Sequence, residues 1–349
     1  MPLSVFSYSA VNTKVRAMYS KLLKEAQFDE LIRKKSVTEV AAYLKRDTSY
    51  SKILADINES EIHRRELESL LKKSLIEDYL KLFHFLKGSP EKFIEATFLR
   101  FEVEDLKMIL RVLNTQRSGE LVKESLVFLD KFNTIDLNLL IKSKTIPEFV
   151  ENLKESTYYR VLKPFVEGKE YQSLFDMELA LDMHYFMMIA KLKDKLLKGS
   201  DKKAVSESYG REVDILNLLW IYRCKNHFNL PKEVTLNHII PVRYSLSKDI
   251  LLDLADSKDK DEFLSIVSKT RYSSLFAGKE DRMWEISFAD YTYKMYKSIL
   301  RKNSFNFGTV MAYIHLKEIE IRNIISAIEC IRYGLPVEET KKYIIGFWS

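Results

Sequence analysis

Two short sequence patterns recur three times along this chain, in the same order and at intervals of about 110 residues. The first is a short amphipathic stretch that opens with glutamate and runs into a turn carrying Thr-x-Tyr. The second is an alternation of acidic and apolar residues later in each repeat. Two independent patterns with matching intervals indicate one unit repeated three times. The interval is too long for a solenoid, whose repeats span roughly 20–50 residues, and fits a small domain.

The positions of the copies predict how the chain is divided. The turns of the first pattern are Thr48-Ser49-Tyr50, Thr157-Tyr158-Tyr159 and Thr270-Arg271-Tyr272. The acidic alternations begin at Glu102, Glu212 and Glu318. We therefore predict three related helical units, which span residues 1–118 with an N-terminal helix, 119–232 and 233–349.

Apolar residues around the second pattern repeat with a helical period. They follow one another at steps of four and three, which puts them on one helix face: Leu99, Val103, Leu106, Leu110 and Leu113. Glycine and proline are scarce, at 9 and 7 of 349 residues, so turns are few. Both observations predict an all-α fold in which Leu106 belongs to the core. Longer helical runs are predicted over 57–86, 171–197 and 283–302.

Two helix ends carry the same sequence signal, at Asn229-Leu230-Pro231 and at Gly334-Leu335-Pro336. Asn and Gly accept the left-handed backbone that often closes a helix, and a proline beyond them cannot continue it. The sequence therefore predicts helices that end just before these residues.

The charge balance disfavours nucleic acids and a membrane span. The net charge is +6, and basic residues occur in short pieces mixed with acidic ones, whereas nucleic-acid binders more often carry a basic stripe. The longest uncharged stretch, 303–316, is shorter than the roughly 20 apolar residues of a spanning helix. The uncharged N-terminus lacks the basic region of a signal peptide. We expect a cytoplasmic protein that reaches a membrane only through partners.

Residue patterns typical of catalysis are missing from the sequence. It has no Gly-rich phosphate loop and no Gly-x-Ser-x-Gly elbow, and its six histidines lack metal-ligand spacing. Cys224 and Cys330 are too few for a disulfide framework and are predicted to be buried thiols. The acids of the second pattern occur three times, so we interpret them as structural: near a helix start, or paired with basic residues across a helix seam. No catalytic residue, cofactor or metal site is predicted.

An ordered set of motifs resembles the C subunit of the V-type and A-type rotary ATPases, the counterpart of the eukaryotic d subunit. The N-terminal motif is the run 8–18 followed by Ser20-Lys21-Leu22-Leu23. In the middle of the chain the motifs are Glu148-Phe149, Thr157-x-Tyr159 and 177–182. Near the C-terminus they are Phe305-Asn306-Phe307-Gly308, Ala312-Tyr313, 317–323, Gly334-Leu335-Pro336 and Glu338-Glu339.

The resemblance implies both a fold and a role. The fold is three related helical bundles around a pseudo-threefold axis, which form a funnel. The role is that of a non-catalytic central-rotor subunit, present in one copy, without bound nucleotide or cofactor. One end rests on the membrane proteolipid ring and the other receives the central shaft subunits. The subunit passes torque during ATP-coupled proton or sodium transport, at the cytoplasmic side of the membrane and peripheral to it.

Basic residues beside the repeated helices are the candidates for partner binding. They are Lys14, Arg16, Arg100, Arg111, Arg223 and Arg332. The residues alone leave other hypotheses open. These are a general helical interaction scaffold without a rotary role, an all-helical enzyme with a convergent acid or metal cluster, and a helical RNA-binding module.

Overall fold

A computed structural model describes residues 3–115, 134–168, 173–302 and 305–348. This part of the chain is helical and contains no strand, which confirms the predicted all-α fold. In chain order, the helices of the described part are α1 (Leu3–Tyr19), α2 (Glu25–Ile32), α3 (Val37–Asp47), α4 (Arg64–Phe83), α5 (Ser89–Thr115), α6 (Leu137–Ile141), α7 (Ile146–Glu151), α8 (Thr157–Glu167), α9 (Leu174–Leu196), α10 (Gly199–Tyr222), α11 (Lys232–Asn237), α12 (Lys248–Asp256), α13 (Lys260–Ser268), α14 (Trp284–Arg301), α15 (Phe307–Arg332) and α16 (Val337–Lys341). The three longer runs expected from the sequence correspond to α4, α9 and α14.

The chain forms two compact units. The larger unit combines Met1–Leu86 with Lys198–Ser349, and the smaller one is Lys87–Leu197. The division into three repeats remains a prediction. It is based on recurring sequence motifs, whereas the two compact units are defined by which residues pack together.

The core of the smaller unit lies between α5 and α9, which run antiparallel. Lys107 contacts Asp182 and Arg111 contacts Glu178, so residue numbers rise along one helix while they fall along the other. Leu106 is fully buried at the centre of the apolar face of α5, as predicted. Burial of such a side chain contributes roughly 1.5–3 kcal/mol, which makes this face the main stabilising surface of α5.

Two long helices run in parallel through the larger unit. At Gly308, near the start of α15, an added Cβ atom would lie 2.8 Å from the Cβ of Ala204 in α10. Further along the same pair, His315 of α15 lies beside Glu212 of α10. The residue offset is nearly constant between these two contacts, so α10 and α15 point in the same direction. Gly308 permits the close approach because it has no side chain.

Each of these helices also pairs with an antiparallel partner. Tyr296 of α14 donates a hydrogen bond to Glu212 of α10 at 2.6 Å. Tyr313 of α15 donates to Asp78 of α4 at 2.5 Å. The larger unit therefore contains two antiparallel helix pairs, α10/α14 and α15/α4, with the parallel contact of α10 and α15 between them.

Both predicted helix ends are confirmed, since α15 ends at Arg332 and α10 continues as a π-helical turn over Arg223–His227, just before Asn229. Asn229 and Gly334 adopt left-handed backbone with φ of 49° and 65°. The amide of Leu230 donates to the carbonyl of Cys224, and that of Leu335 donates to the carbonyl of Cys330. This hydrogen bond closes a helix through a left-handed residue. Cys224 and Cys330 are free and buried, as expected.

Candidate functional site

The acids of the second pattern do not lie near helix starts, so that part of the interpretation is wrong. Glu102, Asp214 and Glu320 lie in the middle of α5, α10 and α15, and each is at most 4% exposed. The helix dipole acts only within the first and last turns and cannot stabilise them there. A buried carboxylate needs hydrogen-bond donors instead.

Asp214 has a full set of donors from one loop and one turn. Its carboxylate accepts the backbone N–H groups of Tyr244, Ser245 and Leu246 at 3.0, 2.6 and 3.3 Å. The hydroxyl of Tyr272 donates to the same carboxylate at 2.8 Å. Asp214 thus fixes the start of the segment that carries α12 and α13, and also the turn that ends it.

Glu320 makes the corresponding contacts with the N-terminal part of the chain. Its carboxylate accepts the backbone N–H of Leu23 and the hydroxyl of Tyr50, the latter at 2.7 Å. Lys317, one helical turn earlier, donates to Glu320 at 2.8 Å and to the Tyr50 hydroxyl at 2.7 Å. The first and last parts of the sequence are therefore joined by a buried polar network.

Glu102 makes the third set of contacts, within the smaller unit. It accepts the backbone N–H and the hydroxyl of Thr134 at 2.6 and 2.7 Å. Tyr158 lies beside Glu102, whose carboxylate contributes to raising the pKa of the Tyr158 hydroxyl. We call these three arrangements the carboxylate–tyrosine locks: Glu102–Tyr158, Asp214–Tyr272 and Glu320–Tyr50.

The locks correct the predicted register at two places. In the middle copy of the first pattern, Tyr158 rather than Tyr159 is the lock tyrosine. Ser156 there donates to the carbonyl of Leu153, as the threonines of the other two turns do to theirs. In the first copy of the second pattern, Glu102 corresponds to the second acid of the other two copies, Asp214 and Glu320, a shift of two residues. The sequence patterns do not reveal either shift, because Tyr158 and Tyr159, like Glu102 and Glu104, match the corresponding residues of the other copies equally well.

A second repeated contact supports the corrected register. Three residues after each lock carboxylate of the larger unit stands an asparagine that bonds both backbone groups of one loop residue. Asn217 pairs in this way with Ile240, and Asn323 with Ile345, at 2.8 to 3.0 Å. At this position α5 has the buried Asp105.

The lock tyrosines are permanent hydrogen-bond donors. Burial, together with the charge and hydrogen bond of the partner carboxylate, raises the pKa of Tyr50, Tyr158 and Tyr272 well above the usual value. Each phenol stays protonated at physiological pH, and each carboxylate already accepts several donors. The locks therefore hold segments together and are not arranged as an acid–base pair.

Contrary to the expectation for these acids, Glu104 does not pair with a basic residue across a helix seam, because its partner Lys107 lies on the same helix, α5. Its carboxylate contacts Lys107 at 2.7 Å, and Lys107 reaches Asp182 of α9 at 2.8 Å. Burial alone lowers the pKa of Lys107, but the charges of Asp182 and Glu104 outweigh it and raise the pKa. Lys107 therefore remains charged in the α5/α9 seam.

An ion pair recurs near one end of each antiparallel helix pair. In two of the pairs the arginine lies on, or directly after, the helix that carries the lock carboxylate, and the glutamate lies on its antiparallel partner. The third pair has the two charges reversed. Arg111 meets Glu178 through two hydrogen bonds of 2.7 and 2.6 Å. The pairs are Arg111–Glu178, Arg223–Glu285 and, reversed, Arg64–Glu329.

We expect the charges of the Arg111–Glu178 pair to be exchangeable, because the third pair has the opposite arrangement. Either Arg111→Glu or Glu178→Arg alone is expected to lower the free energy of unfolding by about 1 kcal/mol, through like-charge repulsion at a partly exposed bidentate pair. The double exchange is expected to recover most of that loss. Urea unfolding of the four proteins gives the coupling energy, and strict additivity of the two losses contradicts the prediction.

His315 lies in a polar cluster that the sequence did not reveal. Its ring stacks on Tyr296 with centroids 4.4 Å apart, and Nδ1 lies 3.3 Å from Glu318 and 3.9 Å from Glu212. Tyr79 donates to Glu318 at 3.3 Å. The cluster connects α4, α10, α14 and α15, and no local motif predicts it because its members come from four separate segments.

Three of the six candidate partner-binding residues have exposed or half-buried side chains on α1 and α5. Lys14 is half-buried and Arg16 is exposed on α1. Arg100 is half-buried on α5, and its guanidinium lies 5.3 Å from the ring centroid of Phe101. Arg100 and Arg111 are both on α5 but about 16 Å apart along it.

The other three candidates have carboxylate partners within the chain. Arg111 and Arg223 belong to the ion pairs described above. Arg332 contacts Glu329 at 3.3 Å and lies 5.7 Å from the ring centroid of Tyr333. Arg223 and Arg332 are at the same end of the larger unit, because α10 and α15 run parallel and both terminate there.

The described residues contain no group of three or more His, Cys, Asp and Glu side chains that could hold a metal ion. Among the described helices, none combines the length and apolar character needed to cross a bilayer. Cavities of two sizes are lined by residues of the larger unit. One of about 320 Å³ lies beside Phe28, Glu320 and Phe347, and one of about 810 Å³ lies between α1, α4 and the turn after α3.

Comparison with known proteins identifies the family to which this chain belongs. The family model described as ATP synthase (C/AC39) subunit matches residues 11–343. The A-type ATP synthase C subunit of Methanosphaera stadtmanae is 25% identical over 351 residues, covering 97% of this chain and 88% of that protein. The proteins of the same name from Methanocaldococcus jannaschii and Thermococcus kodakarensis are 23% and 24% identical, covering 99% and 97% of this chain and 88% and 90% of theirs. The resemblance found from the motifs is confirmed, and the chain belongs to the ATP synthase (C/AC39) subunit family.

Proposed function

We propose that this chain is the non-catalytic central-rotor subunit of a V/A-type rotary ATPase. In that role it links the central shaft to the membrane proteolipid ring and passes torque during ATP-coupled proton or sodium transport. The observation that carries the proposal is the match of nearly the whole chain to a family of ATP synthase subunits, whose similar members are named as C subunits of A-type ATP synthases.

The internal construction supports a torque-bearing role. Three helices carry a buried carboxylate that contacts both ends of a short-helix segment, and three antiparallel seams carry an ion pair. Close-packed helices with satisfied polar contacts resist shear, as an element between a shaft and a ring must. The threefold recurrence also supports three related bundles around a pseudo-threefold axis, which we propose form a funnel.

The proposed location is peripheral, at the cytoplasmic side of the membrane, with one copy in each complex. A body with approximate threefold symmetry cannot repeat one contact around a ring of different symmetry. We therefore expect the ring contact to consist of a few specific pairs. Cross-linking that finds equivalent ring contacts from all three repeats contradicts this expectation.

Removal of the chain tests the role directly. Membranes that carry the complete complex are compared with membranes whose complex was assembled without this chain. We expect the soluble ATPase sector to detach, or to hydrolyse ATP without driving ion transport. Complete coupling of hydrolysis to transport in the absence of the chain contradicts the proposed function.

Charge reversal on α1 tests the candidate partner residues. The double variant Lys14→Glu/Arg16→Glu is expected to weaken assembly with the rest of the complex at least tenfold, because opposite charges at an interface govern encounter and specificity. The matched control is Lys73→Glu, an exposed lysine of α4 in the same unit. Assembly is measured by co-purification and circular dichroism checks helix content. A loss of helix content in the isolated double variant identifies these residues as structural.

A further inference from the structure

The larger cavity, of about 810 Å³, is open to solvent and is lined by five segments of the larger unit. The end of α1, the connection to α2, the turn after α3, and the middle parts of α4 and α15 all contribute to its wall. A cavity of this volume is within the range that small ligands occupy in proteins, roughly 300–1,000 Å³.

Positively charged side chains outnumber negatively charged ones in the wall of this cavity, and only some of them have a partner of opposite charge. Six lysines and three carboxylates line it: Lys14, Lys21, Lys24, Lys52, Lys81 and Lys317, with Asp47, Glu77 and Asp78. Every one of the carboxylates has a cationic partner. Asp47 pairs with Arg46 at 2.8 Å, and Lys81 lies 2.9 Å from Asp78 and 3.9 Å from Glu77.

Four of the six lysines have no such partner. Lys317 belongs to the Glu320–Tyr50 lock and Lys81 to the pairs just described. Within the described part of the chain, no carboxylate pairs with the ammonium groups of the other four, which we call the cavity lysines: Lys14, Lys21, Lys24 and Lys52. Four uncompensated positive charges around one cavity attract a multiply charged anion.

The remaining wall indicates what kind of anion fits. Serine hydroxyls at Ser49 and Ser51 line the cavity beside the cavity lysines. At its base, Tyr50 and Lys317 are buried polar groups rather than an apolar surface, and the Lys317 ammonium lies 4.0 Å from the ring centroid of Tyr50. Lysine ammonium groups and hydroxyls are typical ligands of phosphate oxygens.

We infer that the cavity between α1, the turn after α3 and α4 is a binding site for a small anion that carries two or more linked phosphate groups. A nucleic-acid polymer does not fit the same observations, because elsewhere basic residues alternate with acidic ones and form no continuous stripe. An apolar helix of another protein is also a poor ligand for this cavity, because the buried polar side chains of Tyr50 and Lys317 form part of its wall. This inference is independent of the proposed rotary role, since it concerns a ligand of the isolated chain.

Occupancy has a structural consequence. The cavity wall includes Tyr50 and Lys317, two members of the Glu320–Tyr50 lock that joins the first and last parts of the sequence. An anion held by the cavity lysines connects α1, the turn after α3 and α4 to one another. Since a ligand that binds only the folded state stabilises it, the melting temperature is expected to rise with anion concentration.

The experiment titrates the complete chain with inorganic tripolyphosphate by calorimetry, at about 50 mM and about 200 mM salt. We expect a submillimolar dissociation constant that weakens with salt, and an increase in melting temperature. Replacement of all four cavity lysines by glutamine (Lys14→Gln, Lys21→Gln, Lys24→Gln and Lys52→Gln) is expected to weaken binding at least tenfold. The pair Lys14→Gln/Lys52→Gln is expected to have an intermediate effect, which keeps the test valid if the fourfold variant does not fold.

The matched control changes four exposed lysines of the same unit that do not line the cavity: Lys73, Lys248, Lys258 and Lys269, each to glutamine. It lowers the net charge equally and is expected to leave binding within twofold. Equal weakening by the control, or no binding of tripolyphosphate to the unaltered chain, overturns the inference. Tighter binding of an oligoglutamate peptide than of tripolyphosphate also overturns it, by assigning the cavity to an acidic protein segment. ATP binding at least as tightly as tripolyphosphate supports it and extends the site to nucleotides.

Discussion

Replacing Asp214 by alanine is expected to lower the free energy of unfolding by about 4 kcal/mol. Asp214 is completely buried and accepts three backbone N–H groups and the hydroxyl of Tyr272. Its removal leaves four donors without this acceptor, of which those of Leu246 and Tyr272 are buried and those of Tyr244 and Ser245 partly buried, and each buried donor costs roughly 1–3 kcal/mol before the structure relaxes. The segment that carries α12 and α13 then loses its attachment to α10 at both ends.

Denaturant unfolding of Asp214→Ala and of a matched control measures this effect. The control is Asp253→Ala, because Asp253 is an exposed aspartate of α12 in the same unit, and its change is expected to stay within about 0.5 kcal/mol. Asp214→Asn retains the volume and one acceptor oxygen, so an intermediate loss is expected. Equal stabilities of Asp214→Ala and Asp253→Ala contradict the assignment of Asp214 as a lock residue.

Replacing Leu106 by aspartate is expected to unfold the smaller unit. Leu106 is fully buried at the centre of the α5 face that packs in this unit. An unpaired carboxylate in such a site costs several kcal/mol, in addition to the lost apolar burial. A domain is stable by only about 5–15 kcal/mol, so the sum removes most of the stability of this unit.

Hydrogen exchange read segment by segment localises the damage. In Leu106→Asp, amides of α5 and α9 are expected to lose protection. The matched control is Leu139→Asp in α6, because Leu139 is 44% exposed and its replacement buries no charge. Leu106→Ala, which only leaves a cavity, is expected to cost about 3 kcal/mol and to keep the unit folded. Unchanged protection of α5 in Leu106→Asp shows that Leu106 is not part of the core.

The repeated contacts also show where sequence comparison reached its limit. Pattern matching found that tyrosines and acids recur at similar intervals, but it placed Tyr159 and Glu104 in register with residues that Tyr158 and Glu102 match in the structure. Neighbouring residues of the same type are equally good matches in sequence. They differ in space, because successive helical residues are about 100° apart around the axis and only one of them faces the buried turn.

The six candidate partner-binding residues illustrate a second limit. Their charge and their proximity to repeated helices were visible in the sequence, but their partners within the chain were not. Arg111, Arg223 and Arg332 each contact a glutamate of the chain, and the partners of Arg111 and Arg223 lie more than 60 residues away along it. A charge that already has a carboxylate partner within the chain is less available to bind another protein.

The sequence by itself determined the helical class and the left-handed residues that close two helical segments, at Asn229 and Gly334, and it predicts a threefold repeat. These features depend on residues close together in the chain: the period of the apolar positions, the scarcity of glycine and proline, and the left-handed Asn229 and Gly334. Only the tertiary structure decided which carboxylate meets which tyrosine. Glu320 and Tyr50 lie at opposite ends of the sequence, and the hydrogen bond between them compensates the cost of burying both away from water, a long-range contact that no local pattern records.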